Sequence, residues 1–323
     1  MTRNFTQNIK FWYNNSRPYS IPITLLCWLL VYIYALLHGG NPLYGIIAYI
    51  GIAIIHLATN LSDDYFDYIR LSKNGDFTNN EKSIKCKYLR NGQATIKDLK
   101  NVLVIMFSTA ATIGAILLFA SGWGVLFFAL CTFPIALLYS KLSSKGLGDL
   151  AVILAYGPLM YGGVYYVMTG TVSREVIILS LPSAIFVNTI LYSHMLMDYD
   201  SDVASGKTTL CTRLKTKDNA LNGLLLFYLT GYLLIGYFGI TTRNYWYFLT
   251  YLTIPLVIDL YNSLKWYNLN PKSIPEVRPW HHPLENWEDK LKSGSAPFFF
   301  RFLYTRNITT YYMLLACLAI ALG

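Results

Sequence analysis

The chain has 323 residues, of which 54% are hydrophobic and 13% charged, and its 26 Lys and Arg against 17 Asp and Glu leave a net charge of +9. Soluble chains carry roughly 25% charged residues. The composition therefore excludes an ordinary water-exposed surface, disorder, a soluble disulfide scaffold and a nucleic-acid-binding domain, and leaves a basic, all-α integral membrane protein.

The first twenty residues lack the apolar core and small-residue cleavage site of a signal peptide, so the first apolar span is expected to remain as an anchor. A helix that crosses a bilayer needs about 20 mostly apolar residues. Nine such runs follow in order: Ile21–His38, Leu43–Leu61, Val102–Ala120, Gly122–Tyr139, Leu150–Met168, Val176–Met197, Leu221–Ile240, Tyr245–Leu264 and Thr309–Leu322. Counted by the segments between them, 24 of the 26 basic residues fall on one side, and only Arg174 and Arg243 fall on the other. The excess of Lys and Arg in cytoplasmic loops orients such chains. The expected topology is nine spans, a cytoplasmic N-terminus and a C-terminus on the opposite side. Cys27, Cys86, Cys131, Cys211 and Cys317 are scattered without a CxxC pair, which speaks against a cysteine metal or redox motif.

The second span runs into NLSDDYFDYIR, which carries Asp63, Asp64 and Asp67. The i,i+3 and i,i+4 spacings place these carboxylates on one helix face. The sixth span runs into LMDYDSDVASGKTTL, with Asp198 and Asp202 again at i,i+4 and Asp200 between them. Like charges repel at this spacing, and the span boundaries put both clusters at C-terminal helix ends, where the dipole disfavours anions. Such clusters call for a cation, and hard carboxylate oxygens suit Mg²⁺ held together with substrate phosphates. A single acid at a span end is most often a solvated interfacial residue. Two clusters, each followed by a basic loop on the same side, carry more information. KYLRNGQAT supplies Lys87 and Arg90, and SGKTTL supplies Lys207. Lys and Arg neutralise phosphate charge, and the nearby glycines let backbone amides approach. GKTT lacks the spacing of a P-loop.

These residues resemble the UbiA superfamily of intramembrane aromatic prenyltransferases. DDYFD is similar to the family's first motif, Asn-Asp-x-x-Asp, with Asp63 at the Asn position and Asp64 and Asp67 on the acids. DYDSD is similar to the second, with Asp198 and Asp202 on its acids. KYLRNGQAT resembles the basic R-x-x-x-x-G-x-x-T segment, with Lys87 for Arg. RPYSIP (17–22), the stretch Leu137–Gly170 with its GLGD, and DVASGKTTLCTRL resemble the branch that prenylates 1,4-dihydroxy-2-naphthoate in menaquinone synthesis. Departures are Leu71 where many members carry a third acid (Asp76 is nearby), Met197 where this branch often has Arg, and a long polar stretch, 273–292.

The resemblance implies a UbiA-type helical bundle around a central cavity. It covers nearly all of residues 1–323 as a single transmembrane domain: a first motif at 60–67 with loop 68–100, a second at 198–202 with loop 203–219, and a polar cytoplasmic loop at 265–306. It implies Mg²⁺ on Asp63, Asp64, Asp67, Asp198 and Asp202, with Asp64, Asp67, Asp198 and Asp202 catalytic. Lys87, Arg90, Lys207 and Lys145 would bind the diphosphate of a polyprenyl donor. Tyr65, Tyr139 and Asn60 are weaker candidates for stabilising the allylic cation or the aromatic acceptor, and the prenyl tail would lie among helices and lipid. Asp259 is an ionisable residue inside the eighth span. His56, Asn188 and His194 read as core hydrogen-bonding groups, and His281-His282 as a polar loop. Other acceptors (homogentisate, a hydroxybenzoate, a tetrapyrrole, a glycerol phosphate) and a terpene cyclase share the same motifs. A proton-coupled transporter is the reading from a different class, but it expects acids near the bilayer midplane.

Overall fold

The computed structural model describes residues 4–74 and 86–323; Asp76 and, from the basic tally, Arg3, Lys82 and Lys85 lie outside them. Among the described residues the protein is helical, and its only bridge of β type joins Lys145 to Thr208. In chain order the helices are α1 (Phe5–Asn15), α2 (Ile21–Leu37), α3 (Pro42–Asn74), α4 (Lys87–Arg90), α5 (Ile96–Ser121), α6 (Gly124–Ser144), α7 (Gly148–Leu154) and α8 (Met160–Thr169). They continue with α9 (Arg174–Met197), α10 (Tyr199–Ala204), α11 (Leu210–Arg213), α12 (Lys217–Thr241), α13 (Ile254–Leu269), α14 (Trp287–Lys292) and α15 (Ala296–Leu322).

Local chemistry sets the boundaries. Thr95 and Asp98 form a reciprocal capping box that starts α5, and Gly122, at φ +96°, ends it. Ser173 caps α9 and Thr216 caps α12 through their side-chain oxygens. Between α7 and α8 the chain passes through a wide turn at Ala155–Leu159. There Pro158 has no N–H to give, and Gly157 leaves helical geometry (φ −102°, ψ −114°).

Among the described residues seven helices, with Gly148–Thr169 taken as one across its turn, are long and apolar enough to cross a membrane, against the nine runs expected from sequence. The other two runs differ for physical reasons. The eighth begins as a tight 3₁₀ segment, Tyr245–Thr253, and only then becomes α13. The ninth is part of a much longer helix, since α15 starts at Ala296 and carries Arg301, Arg306 and Asn307 in its first half. The polar segment between α13 and α15 is correspondingly shorter than the expected 265–306. α3 also runs on to Asn74, so the first acid cluster lies within a helix and not at its end.

α9 is the central helix. Its apolar window is 72% buried inside the protein, against 17% for those of α5 and α6. It packs on α12, α15 and α7, and the main core forms around it. α5 and α6 instead expose Val104, Ile105, Phe119, Phe127 and Leu130, a surface suited to lipid and costly in water. A second, smaller core of Trp12, Leu61, Tyr88, Leu89 and Leu99 clamps α1 and α4 against the ends of α3 and α5.

Arg301 is fully buried on α15, and its guanidinium donates to the carbonyls of Ser263, Ser273 and Pro297 and to Ser273 Oγ. It ties the segment after α13 to the bundle. Arg301→Met removes these four hydrogen bonds, and a hydrogen bond from a charged group contributes about 1.5–3 kcal/mol. The expected result is a clear fall in thermal stability of the detergent-solubilised protein. An unchanged melting temperature would show that this tie contributes little.

Candidate active site

The turn between α1 and α2 places Arg17 in the left-handed region (φ +59°), with its side chain directed at α3. Its guanidinium donates to Asp63 (3.3 Å) and also pairs with Asp64. Burial works against the charge of Arg17, but the carboxylates of Asp64 and Asp63 outweigh it and hold the guanidinium above its usual pKa. Asp63, Asp64 and Asp67 are all buried, at 9%, 3% and 6% exposure. Buried carboxylates need a partner of opposite charge, and Arg17 supplies one.

The α4 segment closes over the same cluster. Cys86 Sγ donates to the Asp64 carbonyl (3.2 Å), which ties the start of α4, the helix of Lys87 and Arg90, to the first motif. Lys87 is exposed and Arg90 half-buried. Burial, with the Asp64 carboxylate nearby, pushes the Tyr88 phenol up.

The second motif straddles a helix junction. Asp198 caps the end of α9, and Asp200 and Asp202 stand in the first turn of α10. The expected unfavourable C-terminal position therefore holds for Asp198 alone. The Asp202 amide donates to the Asp198 carbonyl (2.8 Å), which keeps the two acids one helical turn apart. His194 Nδ1 lies 3.2 Å from Asp198 Oδ2. Lys207 Nζ donates to Asp202 Oδ1 (3.1 Å), while Asp202 Oδ2 is buried with no hydrogen-bond partner. Burial raises the Asp202 carboxyl above the ordinary range, and the Lys207 ammonium opposes the rise. The exposed Asp200 pairs with Lys217 (2.5 Å).

Lys145 joins this second cluster through its backbone. It bridges Thr208, next to Lys207, and its carbonyl accepts from Arg213 Nη2 (2.9 Å). The loop after α6 and the loop after α10 are thus fastened side by side, with two lysines on them.

A cavity of about 360 Å³ opens beneath the first motif. Its α3 wall is a helical stripe at i, i+3, i+4 spacing: Ala48, Gly51, Ile52 and Ile55, then His56, Thr59, Asn60 and Asp63. One end is polar and ionic, with Arg17 and Asp63, and the other is wholly apolar. Tyr139 and Asn60 line the polar end, and Asn60 Nδ2 donates to the Ser16 carbonyl (2.9 Å). Tyr65 is not on the cavity wall; it packs toward α5, with Lys100 Nζ 5.8 Å from its ring.

His56 also borders the cavity. Ser20 Oγ donates to the Arg17 carbonyl (2.8 Å), so it accepts from His56 Nε2 (2.7 Å), and Nδ1 lies 2.5 Å from the Thr24 hydroxyl and 3.0 Å from that of Tyr156. Both ring nitrogens of His56 are thus hydrogen-bonded. Asn188 Nδ2 donates to Asp149 Oδ1 (3.0 Å) in the core. His281, read from sequence as part of a polar loop, is 3% exposed and sits 2.9 Å from Asp259 Oδ2, where Tyr304 also donates (3.1 Å). This pair anchors the segment after α13, far along the chain from both motifs. Sequence reasoning passed over Arg17 as a site residue, although RPYSIP held the signal: a base just ahead of a span, with no acid near it in sequence.

Among the described residues no three His, Cys, Asp or Glu side chains gather at metal-cluster distances. The donor set nonetheless fits a hard divalent cation. All the candidate ligands are carboxylates, two cationic side chains already stand against them, and Asp202 keeps one buried oxygen unpartnered.

The profile of the UbiA prenyltransferase family matches residues 23–278. A 1,4-dihydroxy-2-naphthoate octaprenyltransferase of Haemophilus influenzae is 26% identical over 224 residues, covering 64% of this chain and 70% of that one. Two solved structures share the fold. One is described as a digeranylgeranylglyceryl phosphate synthase (TM-score 0.63, 15% identity, 98% of this chain and 99% of that chain). The other is a UbiA homologue from Archaeoglobus fulgidus bound to GPP and Mg²⁺ (TM-score 0.54, 14% identity, 96% and 99%).

Replacing Lys207 by Met removes the charge that holds the Asp202 carboxyl down. Its titration, followed by difference infrared spectroscopy of the carboxyl band, is expected to move to higher pH. A titration that does not move would mean that Lys207 does not set the charge of Asp202.

Proposed function

Since the chain belongs to the UbiA prenyltransferase family and is an integral membrane prenyltransferase, we propose that it transfers a polyprenyl group from a polyprenyl diphosphate to 1,4-dihydroxy-2-naphthoate, a step of menaquinone biosynthesis. The observation that carries this reading is the α3 stripe, which lines one cavity with a carboxylate end and an apolar end. A polyprenyl diphosphate has the same polarity, a charged head and a hydrocarbon tail. The naphthoate acceptor draws its support from the GLGD-containing stretch and from the relative named for that acceptor.

In this reading residues 1–323 act as one transmembrane domain, with the motif side and N-terminus cytoplasmic and the C-terminus opposite. Asp63, Asp64, Asp67, Asp198 and Asp202 would hold Mg²⁺, which supplies charge stabilisation to the departing diphosphate. Lys87, Arg90, Lys207 and Lys145 neutralise the remaining phosphate charge. The allylic C–O bond breaks and the diphosphate leaves with the electron pair. The apolar walls keep water from the cation, and the face of Tyr139, at the polar end of the cavity, stabilises it. A ring carbon of the acceptor then forms the new C–C bond. With the naphthoate, the carboxylate leaves as CO₂ and returns its bonding pair to the ring, which restores the aromatic system with no net gain or loss of a proton. Arg17 must release Asp63 and Asp64 as the metal–diphosphate arrives, and its guanidinium is then free for an anionic group of either substrate.

Membranes holding the protein, given labelled geranylgeranyl diphosphate, Mg²⁺ and a panel of acceptors, are expected to form product with dihydroxynaphthoate. Product only with homogentisate, hydroxybenzoate, a tetrapyrrole or a glycerol phosphate would reassign the acceptor. Cyclised hydrocarbon without acceptor would make the protein a terpene cyclase, and proton-coupled flux without transfer would make it a transporter. Asp64→Asn and Asp202→Asn are each expected to lower transfer by at least about 10²-fold in folded protein, the scale on which removing a group that stabilises developing charge acts. Full activity in either variant would remove that motif from the mechanism.

A further inference from the structure

The length of the cavity along α3 can be read directly. From Asp63 at the polar end to Ala48 at the other, the lining stripe extends about 22 Å at 1.5 Å per residue. Four buried residues gather at the far end: Ala48, Leu117, Val125 and Val167. One turn nearer the motif, α5 presents Gly114 to the cavity, and a Cβ built there meets nothing within 4 Å. α3 presents Gly51 at the same level, where a Cβ would come 3.1 Å from Ile113 Cγ2. Gly114 is not needed for a turn or for helix packing: it lies in mid-helix without a positive φ, and a side chain there would enter empty space. Glycine inside a helix costs about 1 kcal/mol relative to alanine, and the space that it leaves open belongs to the cavity.

We propose that Gly114 and the floor residue Leu117 set the length of prenyl tail that the cavity accepts. Gly114 keeps the bore open for one further helical turn, and Leu117 closes it. A donor whose tail reaches no deeper than Gly114 is indifferent to both residues, whereas a longer tail passes Gly114 and ends at Leu117. This rests on the prenyl-transfer reading above and adds to it the residues that select among donors.

The test compares geranyl, farnesyl and geranylgeranyl diphosphate as donors to dihydroxynaphthoate, by kcat/KM, in wild type, Gly114→Leu and Leu117→Ala. A single methylene in a hydrophobic pocket changes discrimination by about tenfold or more. In Gly114→Leu the geranylgeranyl-to-geranyl ratio is expected to fall at least about tenfold relative to wild type. In Leu117→Ala the ratio is expected to rise, or the accepted tail to lengthen. Opposite shifts in the two variants are not produced by a general loss of fold, which lowers every donor together. Ratios unchanged in both variants, with wild type active, would overturn the proposal and place the tail elsewhere, such as between helices into lipid. Absence of transfer by wild type with any donor and acceptor would instead overturn the functional reading on which it rests.

Discussion

Asp63, Asp64 and Asp67 are buried beside Arg17 and Asp202 beside Lys207 in an apolar helical bundle, and both clusters are organised around balancing buried charge. An unpaired carboxylate in such surroundings is too costly to keep. The chain meets the cost with its own cations: Arg17 on Asp63 and Asp64, and Lys207 on Asp202. Both arrangements shape the backbone around them. Arg17 occupies a left-handed turn to reach α3. Lys207 sits in a loop fastened by the Lys145–Thr208 bridge and by Arg213. In the proposed reaction these charges exchange, because a metal–diphosphate would bring both a cation for the carboxylates and an anion for the bases.

The same constraint explains why ionic and apolar regions meet so abruptly. Along α3 the cavity wall changes from Asp63 and Asn60 to Ile52 and Ala48 within four turns, on one face of one helix. The break at Gly157 and Pro158 lies on the opposite wall, beside the lining residues Tyr156 and Leu159. The tightly packed α9 supplies the rigid side of the bundle, while α5 and α6 face outward to lipid.

Much of this was legible in the sequence, because hydrophobic length and charge bias are one-dimensional signals. The acid clusters, their spacing and the basic segments that follow them needed no fold to be seen. What escaped was three-dimensional pairing. Arg17 lies 46 positions before Asp63, and RPYSIP marks it as a base ahead of a span without naming its partner. His281 reads as half of a polar pair until α15 folds beside Asp259 and buries it. Tyr65 and Tyr139 are equivalent as aromatic residues near a motif, and only helix rotation separates the one facing α5 from the one facing the cavity. The nine apolar runs and the seven long apolar helices part where apolarity is carried by a 3₁₀ segment and where a polar half-helix precedes an apolar one. The extension of α3 past its acids was hidden for a similar reason, since polar residues do not end a helix that has no Gly or Pro to stop it.

The central claim is that the buried carboxylates exchange Arg17 and Lys207 for a divalent cation only when a diphosphate arrives to take up the bases. Electron paramagnetic resonance of Mn²⁺, titrated into the purified protein with and without a non-ionising thiolo analogue of the prenyl diphosphate, tests it directly. The account expects weak Mn²⁺ binding alone, and tight binding with the analogue, with phosphorus coupling in the spectrum. Equally tight Mn²⁺ binding without the analogue, or none with it, would contradict the account.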